Sequence, residues 1–363
     1  MRIVVTGFRG IPGIQGGVET HCEALFPRIV DGRHEVIVVR RKGFISEGYE
    51  THLYKGVKIK DIPNPKGKSL ESIIHTFRAV IYAKRVGADI VHIHAIGPAL
   101  MVPFAKLLGM KVVMTHHGPD YDRQKWGRFA KFILRLGESW GIRWADAVIV
   151  ISNHIKNIVN TRCPSQRHVY LIRNGFALPP VADGSDYLEH LGVRGVKYVL
   201  TVGRFVKEKG FDLLIEAFAR LNYNGVRLVI AGDADHEDAY SQMLKKEAKD
   251  AGVILTGFVQ KDKIAVLCRS CSLFVLPSFH EGLPISLLEA MSCGADVLVS
   301  DIPANVEVGL QPHHYFKTGD VQDMAVKIKQ HLDNLCRPAY DMSQYDWDKI
   351  AVQTKAVYDS LMG

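Results

Sequence analysis

Residues 197–233, KYVLTVGRFVKEKGFDLLIEAFARLNYNGVRLVIAGD, decide the fold class. KYVLTVGR is an apolar run ending in a loop, FDLLIEAFARL has helical periodicity, and VRLVIAGD is a second apolar run. Strand, helix and strand at this spacing predict a crossover between parallel strands. The rhythm continues through GVILTGFV (252–259), a helix near 261–270, SLFVLPS (272–278), a helix from Pro284 and ADVLVSD (295–301). It is also present earlier, in RIVVT (2–6), HEVIVVR (34–40), VKIKDIP (57–63), ADIVHIH (88–94), KVVMTHHG (111–118) and DAVIVIS (146–152). Helices are predicted through Ile29 and over about 69–86, 98–108 and 123–144. The chain is therefore expected to be α/β, with two parallel-sheet units. The stretch 175–195, rich in Pro, Gly and Asp, reads as the linker, and 345–362 as a separate amphipathic helix.

The 363 residues suit two domains, and a hydrophobic fraction of 47% allows large cores. The opening MRIVVTGF reads as a strand and not as a charged leader. No run approaches the roughly 18 apolar residues that a membrane span needs. Six scattered cysteines form no disulfide framework and fit a reducing cytosol; Cys268 and Cys271 are read as two cysteines of one helix. Residues 1–180 hold 27 Lys and Arg against 13 Asp and Glu, and the remainder 19 against 25. A basic first half points to a polyanion, either nucleic acid or anionic lipid, or to a plain solvated surface.

In open parallel sheets ligands sit at the carboxyl ends of the strands, and two facing sheets would form a cleft. The loop GFRGIPGIQGGVET (7–20) leaves its backbone bare just before a helix, which favours a phosphate; a ligand-free flexible loop is the alternative. Its spacing is not that of a dinucleotide fold. Arg204 and Lys209 in GRFVKEKG could neutralise a diphosphate, or be surface cations. In SFHEGLPISLLEAMSCG (278–294), Pro284 suits a first helical turn and leaves N–H groups of Leu283, Ile285 and Ser286 at the helix start. Glu281 lies in the loop. Glu289, between Leu288 and Ala290, needs exposure or hydrogen bonds, and a ribose diol would supply two donors. In THHGPDYDRQKWGR (115–128), His116 and His117 end a strand, where a histidine could orient a substrate or move a proton. His92 and His94 share one strand face; cleft lining or packing is favoured there over a metal.

Taken in order, these segments resemble retaining glycosyltransferase family 4, of the GT-B fold. EGLPISLLE matches its E-x7-E signature, GRFVKEKG its basic loop, QGGVET its glycine loop and THHG its strand end. NGF (174–176) is similar to its interdomain segment, and DWDKIAVQTKAVY to its closing helix. The glycine loop and the run after THHG look most like bacterial members that build surface polysaccharides.

The resemblance implies a Rossmann-like acceptor-side domain over 1–177, with helix 345–363 packing back on it, and a nucleotide-sugar domain over 193–344. It implies that Glu289 holds the donor ribose and that Glu281, Gly282 and Leu283 contact the donor sugar. Arg204 and Lys209 would neutralise the diphosphate, Gly16 and Gly17 would approach it, and the base would lie near Gly257–Val259. Catalysis would rest on Glu281, His117, Arg204 and Lys209, with His117, Arg123 and Lys125 on the acceptor side. No metal and no cofactor is expected; Asp233-Ala234-Asp235 reads as a loop. The implied partners are a nucleotide sugar and a saccharide or lipid-linked acceptor, not nucleic acid. The basic, aromatic run from Arg123 to Arg135 then reads as a peripheral contact with anionic membrane or a solvated helix face, on a cytoplasmic protein. The alternatives are a nucleotide-sugar epimerase of the same fold and a non-catalytic polyanion- or membrane-binding module.

Overall fold

The structure, a computed structural model, describes all residues except 46–49, 64–70, 123–125, 178, 180–183, 222 and 236. The chain divides into two compact units, residues 1–175 with 344–363, and residues 176–343.

The first unit is built on eight strands: β1 Arg2–Thr6, β2 Glu35–Arg41, β3 Leu53–Tyr54, β4 Val57–Ile62, β5 Ile90–His94, β6 Lys111–His116, β7 Ala147–Val150 and β8 Val169–Leu171. Their order is β3-β4-β2-β1-β5-β6-β7-β8, parallel except for the β3–β4 pair. β1, β5, β6 and β7 are almost continuously buried, as strands covered on both faces must be. Helices α1 Gly17–Ile29, α2 Glu71–Arg85, α3 Val102–Leu107, α4 Arg128–Trp144 and α5 Asn153–Arg162 connect them.

The second unit carries β9 Lys197–Val202, β10 Val226–Ala231, β11 Ile254–Leu255, β12 Leu273–Leu276, β13 Val297–Ser300 and β14 Tyr315–Phe316. These pair in parallel in the order β11-β10-β9-β12-β13-β14. Its helices are α6 Ser185–His190, α7 Phe211–Leu221, α8 Ala239–Asp250, α9 Lys261–Ser270, α10 Ile285–Ser292, α11 Pro303–Val306 and α12 Val321–Asp333. α7 buries Phe211, Leu214 and Ile215 at helical spacing and turns Glu216 and Arg220 to solvent, ion-paired one turn apart. Its buried face meets Met324, Ile328 and Leu332 of α12 and Leu244 of α8 in one apolar cluster. Full burial of one such side chain contributes about 2 kcal/mol. Beneath β13, Asp296 accepts from His331 Nδ1 at 2.6 Å while His331 Nε2 meets the His313 carbonyl at 3.1 Å.

Helix α13, Trp347–Ser360, returns to the first unit. It buries Trp347, Ile350, Ala351, Val357 and Tyr358 and packs on α1. Arg28–Asp348 at 2.7 Å and Lys355–Asp31 at 3.2 Å fasten it at the surface.

Four details depart from the sequence. The run 252–259 forms a strand only at Ile254–Leu255, because Gly257 turns away to bridge Gly232. The basic helix begins at Arg128, after the sequence placed its start near 123. The stretch 175–195, read as linker, contains α6, which packs on α9 within the second unit, and Arg269 reaches the Pro179 carbonyl at 3.4 Å. Strands β3, β8 and β14, of two or three residues each, were not foreseen.

At the end of β10 the backbone of Gly232, with φ of 139°, presses on Gly203: a Cβ there would stand 1.9 Å from the Gly203 carbonyl oxygen. Gly232→Ala is expected to destabilise the protein by about 2 kcal/mol or more, through backbone displacement and a disallowed φ. Urea denaturation checks this; an unchanged midpoint would contradict the contact.

Candidate functional site

In each sheet the chain moves outward from one central strand and then returns to that strand's other side. In the second unit the reversal lies between β9 and β12, and in the first between β1 and β5. Loops leaving the carboxyl ends of such a pair diverge, which opens the crevice where α/β sheets bind ligands.

In the second unit these loops carry the expected residues. The β9 loop runs through Arg204 to Lys209, ends at Gly210 in the left-handed region, and leads into α7. The β12 loop carries Ser278, Glu281, Gly282 and Leu283 before α10. The two loops are tied backbone to backbone by the Phe279 N–H donating to the Glu208 carbonyl at 2.8 Å. Lys209 Nζ donates to Glu281 Oε1 at 2.5 Å, and Ser278 Oγ donates to the same oxygen at 2.7 Å. Burial alone would push the Glu281 carboxyl up, but the charge and hydrogen bond of Lys209, with that of Ser278, hold it below its ordinary value. Arg204 reaches Asp235 at 2.7 Å, and Asp233 of the same loop pairs with Lys245 at 3.0 Å. Both cations are thus present at the strand ends, each with a carboxylate partner that spacing did not disclose.

Helix α10 starts after Pro284, which occupies the N-cap position, one residue earlier than a first-turn proline. The Leu287 and Leu288 N–H groups both bond to the Pro284 carbonyl, and no side chain caps this end. Glu289 sits on the helix with 7% exposure, among Leu287, Leu288 and Ala290. Among the described residues no donor reaches its carboxylate. Burial pushes it up to about 7, against the opposing field of Lys261 and with a smaller push from Cys293. Gly257, at φ of 67°, and Val259 lie between β11 and α9, whose first residue is Lys261. The second unit therefore brings Arg204, Lys209, Glu281, Gly282, Leu283 and Glu289 onto neighbouring loops and the helix that follows.

Cys268, on α9, and Cys271, its C-cap, are buried thiols.

The first unit holds the remaining residues. Gly16 is the N-cap of α1, with φ of 147°. A Cβ there would lie 2.1 Å from Glu19 Oε2, because the buried Arg9–Glu19 ion pair, 3.0 Å long, rests on it. Gly17 has open space beside it and begins the helix. His116 and His117 separate in role. His116 is fully buried between Glu138, at 2.8 Å, and the Gly118 N–H, at 3.1 Å. His117 is half-buried and its Nε2 lies 2.9 Å from His94 Nδ1. Arg123 and Lys125 lie outside the described residues. Glu138, bound by His116, Tyr121 and Arg162, escaped sequence reasoning because it looks like any helix-face acid.

A model of the family described as Glycosyl transferases group 1 matches residues 189–345, and one described as Glycosyltransferase Family 4 matches residues 15–178. The chain belongs to this family of glycosyltransferases, and its two parallel-sheet units have the GT-B architecture. It is similar to the phosphatidylinositol N-acetylglucosaminyltransferase gpi3 subunit of Schizosaccharomyces pombe, 25% identical over 377 residues, covering 95% of this chain and 78% of that protein. Among solved structures it is similar to sucrose-phosphate synthase from Thermosynechococcus elongatus, with a TM-score of 0.82, 19% identity and 99% of both chains covered. It is also similar to HepE from Anabaena in complex with UDP-glucose, with a TM-score of 0.79, 20% identity and coverage of 99% of this chain and 100% of that one.

Glu289 makes stability depend on pH. Its carboxyl is raised to about 7 from an ordinary 4.5, so in that window the folded chain holds a proton that the unfolded chain has released. Stability therefore falls as pH rises through the window, by at most on the order of 3 kcal/mol. Glu289→Gln is expected to lose less stability than the parent between about pH 5 and pH 8. Urea midpoints at the two pH values check this; equal losses would mean that Glu289 is charged and satisfied in the free protein.

Proposed function

We propose that the protein transfers a hexosyl residue from a nucleoside-diphosphate sugar, held by the second unit, to a saccharide or lipid-linked acceptor. The configuration at the anomeric carbon is retained and no metal takes part. The observation that carries this reading is the buried Glu289 carboxylate, without a donor, on the helix that follows the reversal loop. A ribose diol offers two O–H donors to one carboxylate and would satisfy it.

Arg204 and Lys209 stand at the end of β9, where a diphosphate would lie against the strand's carboxyl edge. Breaking the sugar–phosphate bond develops negative charge on the leaving diphosphate, and fixed cations stabilise that charge in the transition state. Glu281, kept ionised by Lys209, together with the backbone of Gly282 and Leu283, would contact the donor sugar. Gly257 to Val259 would flank the base. The resemblance gives Gly16 and Gly17 a role toward the diphosphate and His117 one toward the sugar and the acceptor. Retention rests on the resemblance of the Glu281–Glu289 segment. A nucleotide-sugar donor is supported by the solved HepE complex with UDP-glucose.

A lipid-linked acceptor draws support from α4. Phe129 and Phe132 are 75% and 61% exposed, and Trp140 and Trp144 are also open to solvent. Arg128, Lys131 and Arg135 accompany them on the same helix. A helix with exposed aromatics and cations suits the surface of an anionic membrane. The phosphatidylinositol N-acetylglucosaminyltransferase relative, by its name, glycosylates a lipid. Among the described residues no helix is long and apolar enough to cross a membrane. The protein would work from the cytoplasmic face, in polysaccharide or glycoconjugate synthesis.

Thermal unfolding with UDP, GDP or dTDP, without Mg²⁺, tests the donor site. One nucleoside diphosphate at about 100 times its dissociation constant should add roughly 2.7 kcal/mol, and Glu289→Ala should abolish the gain. Full stabilisation of that variant would remove Glu289 from the site. Sedimentation with vesicles containing anionic lipid tests α4. Binding should fall several-fold in Phe129→Ser/Phe132→Ser and weaken with salt, and binding unchanged by the substitutions would dismiss the helix as the contact.

A further inference from the structure

Four imidazoles crowd the carboxyl edge of the first sheet. His92 and His94 stack with centroids 4.3 Å apart, and His94 and His117 with centroids 5.2 Å apart. His21 of α1 stands edge-on to His94 and His117, at 5.7 and 5.0 Å. His92 is satisfied on both nitrogens, by the Tyr358 hydroxyl at 2.6 Å and the Thr115 hydroxyl at 2.7 Å.

The other three differ. His21 Nδ1 donates to Asn174 Oδ1 at 2.9 Å, which leaves Nε2 with a bare lone pair. That atom is buried and has no hydrogen-bond partner among the described residues. One ligand nitrogen from each of His21, His94 and His117 lies within 4.8 Å of the other two. A buried acceptor without a donor is costly, and a cation would satisfy all three nitrogens at once.

We propose that His21, His94 and His117 form a binding site for one transition-metal cation of the zinc class. The donor set selects the ion. It holds three imidazoles and no carboxylate, with the Cys22 thiol 3.8 Å from both His94 ring nitrogens. Imidazole and sulfur suit zinc and its neighbours and not magnesium or calcium. Zinc–nitrogen bonds of about 2.0 Å in a tetrahedral site place ligand nitrogens roughly 3.3 Å apart. His94 and His117 are 2.9 Å apart and every pair lies within 4.8 Å, so small side-chain rotations would bring the nitrogens to that spacing. Asn174 fixes the His21 tautomer from behind, as outer-shell groups of metal-bound histidines do.

Burial lowers the basicity of the set: His21 falls to about 4, and His94 and His117 lie well below their ordinary value. At neutral pH all three are uncharged, and protons do not compete for the ligand nitrogens. On binding, the proton between His94 and His117 moves to the outer nitrogen of one ring, so the imidazoles release none. Half-buried His117 gives the ion a way in.

The buried Asp296–His314–His331 cluster is a contrast within the same chain. Both His331 nitrogens meet acceptors, and His314 Nδ1 donates to the Val297 carbonyl at 2.6 Å. That cluster is a hydrogen-bonded network.

The site shares His117 with the proposed acceptor side, and the ion is a structural occupant that takes no part in the transfer. The test is titration of the metal-free full-length chain with Co²⁺, followed by its visible absorption, and then with Zn²⁺. One equivalent of Co²⁺ should acquire the intense bands of a low-coordinate nitrogen site, and Zn²⁺ should abolish them. His21→Ala and His94→Gln should lose this site, and Asn174→Ala should weaken it roughly tenfold. His331→Asn should keep it. Far-ultraviolet circular dichroism verifies folding, and if His21→Ala fails to fold, His117→Ala at the exposed edge provides the same comparison. A spectrum that stays that of hydrated Co²⁺, or equimolar binding that survives these substitutions unchanged, overturns the proposal.

Discussion

The reversal of chain direction within each sheet is the constraint on which the rest depends. Crossovers carry the chain from β9 outward to β10 and β11, and β12 is then laid on the opposite side of β9. The loops after β9 and β12 leave in different directions, and the space between them admits side chains from both. Lys209 and Glu281 meet there, joined at 2.5 Å although 72 residues separate them in sequence. The same reversal in the first unit, between β1 and β5, sets the glycine loop and α1 beside the end of β5, where His94 lies. The chemistry of each unit is thus placed by the order of its strands.

The two reversal sites differ in electrostatic character. In the second unit Lys209 is matched with Glu281 and Arg204 with Asp235, whereas the buried Glu289 carboxylate has no donor among the described residues. In the first unit the edge carries the imidazoles of His21 and His94, whose basicity burial lowers, together with the ion pairs Arg9–Glu19 and Arg162–Glu138. Part of the basic excess of residues 1–180 is spent in pairing, as in fully buried Arg40 with Asp61 at 2.7 Å, and part stands on α4 among exposed aromatic side chains.

Much of the fold was legible because it rests on local pattern. The apolar runs that became β1, β5, β6, β9, β10, β12 and β13 contrast with helical periodicity in α7 and α13. Parallel sheets covered on both faces produce such runs. The strands that escaped notice, β3, β8 and β14, are too short to show a period and exist only because a neighbouring strand offers its edge. The length of β11 was overestimated for a related reason: its run is apolar, but a bridge between Gly232 and Gly257 ends the pairing early.

The sequence by itself determined the fold class, the ordered set of family motifs and the candidates Arg204, Lys209, Glu281, Glu289 and His117, because spacing and residue type are local properties. Tertiary structure alone decided what those residues touch. It buried Glu289 without a donor, gave each cation a carboxylate, and set His116 and His117, adjacent in sequence, into different surroundings. It also gathered His21, His94 and His117 from one helix and two strand ends. Burial, tautomer and charge pairing depend on neighbours distant in the chain, and those neighbours are known only once the sheets are assembled.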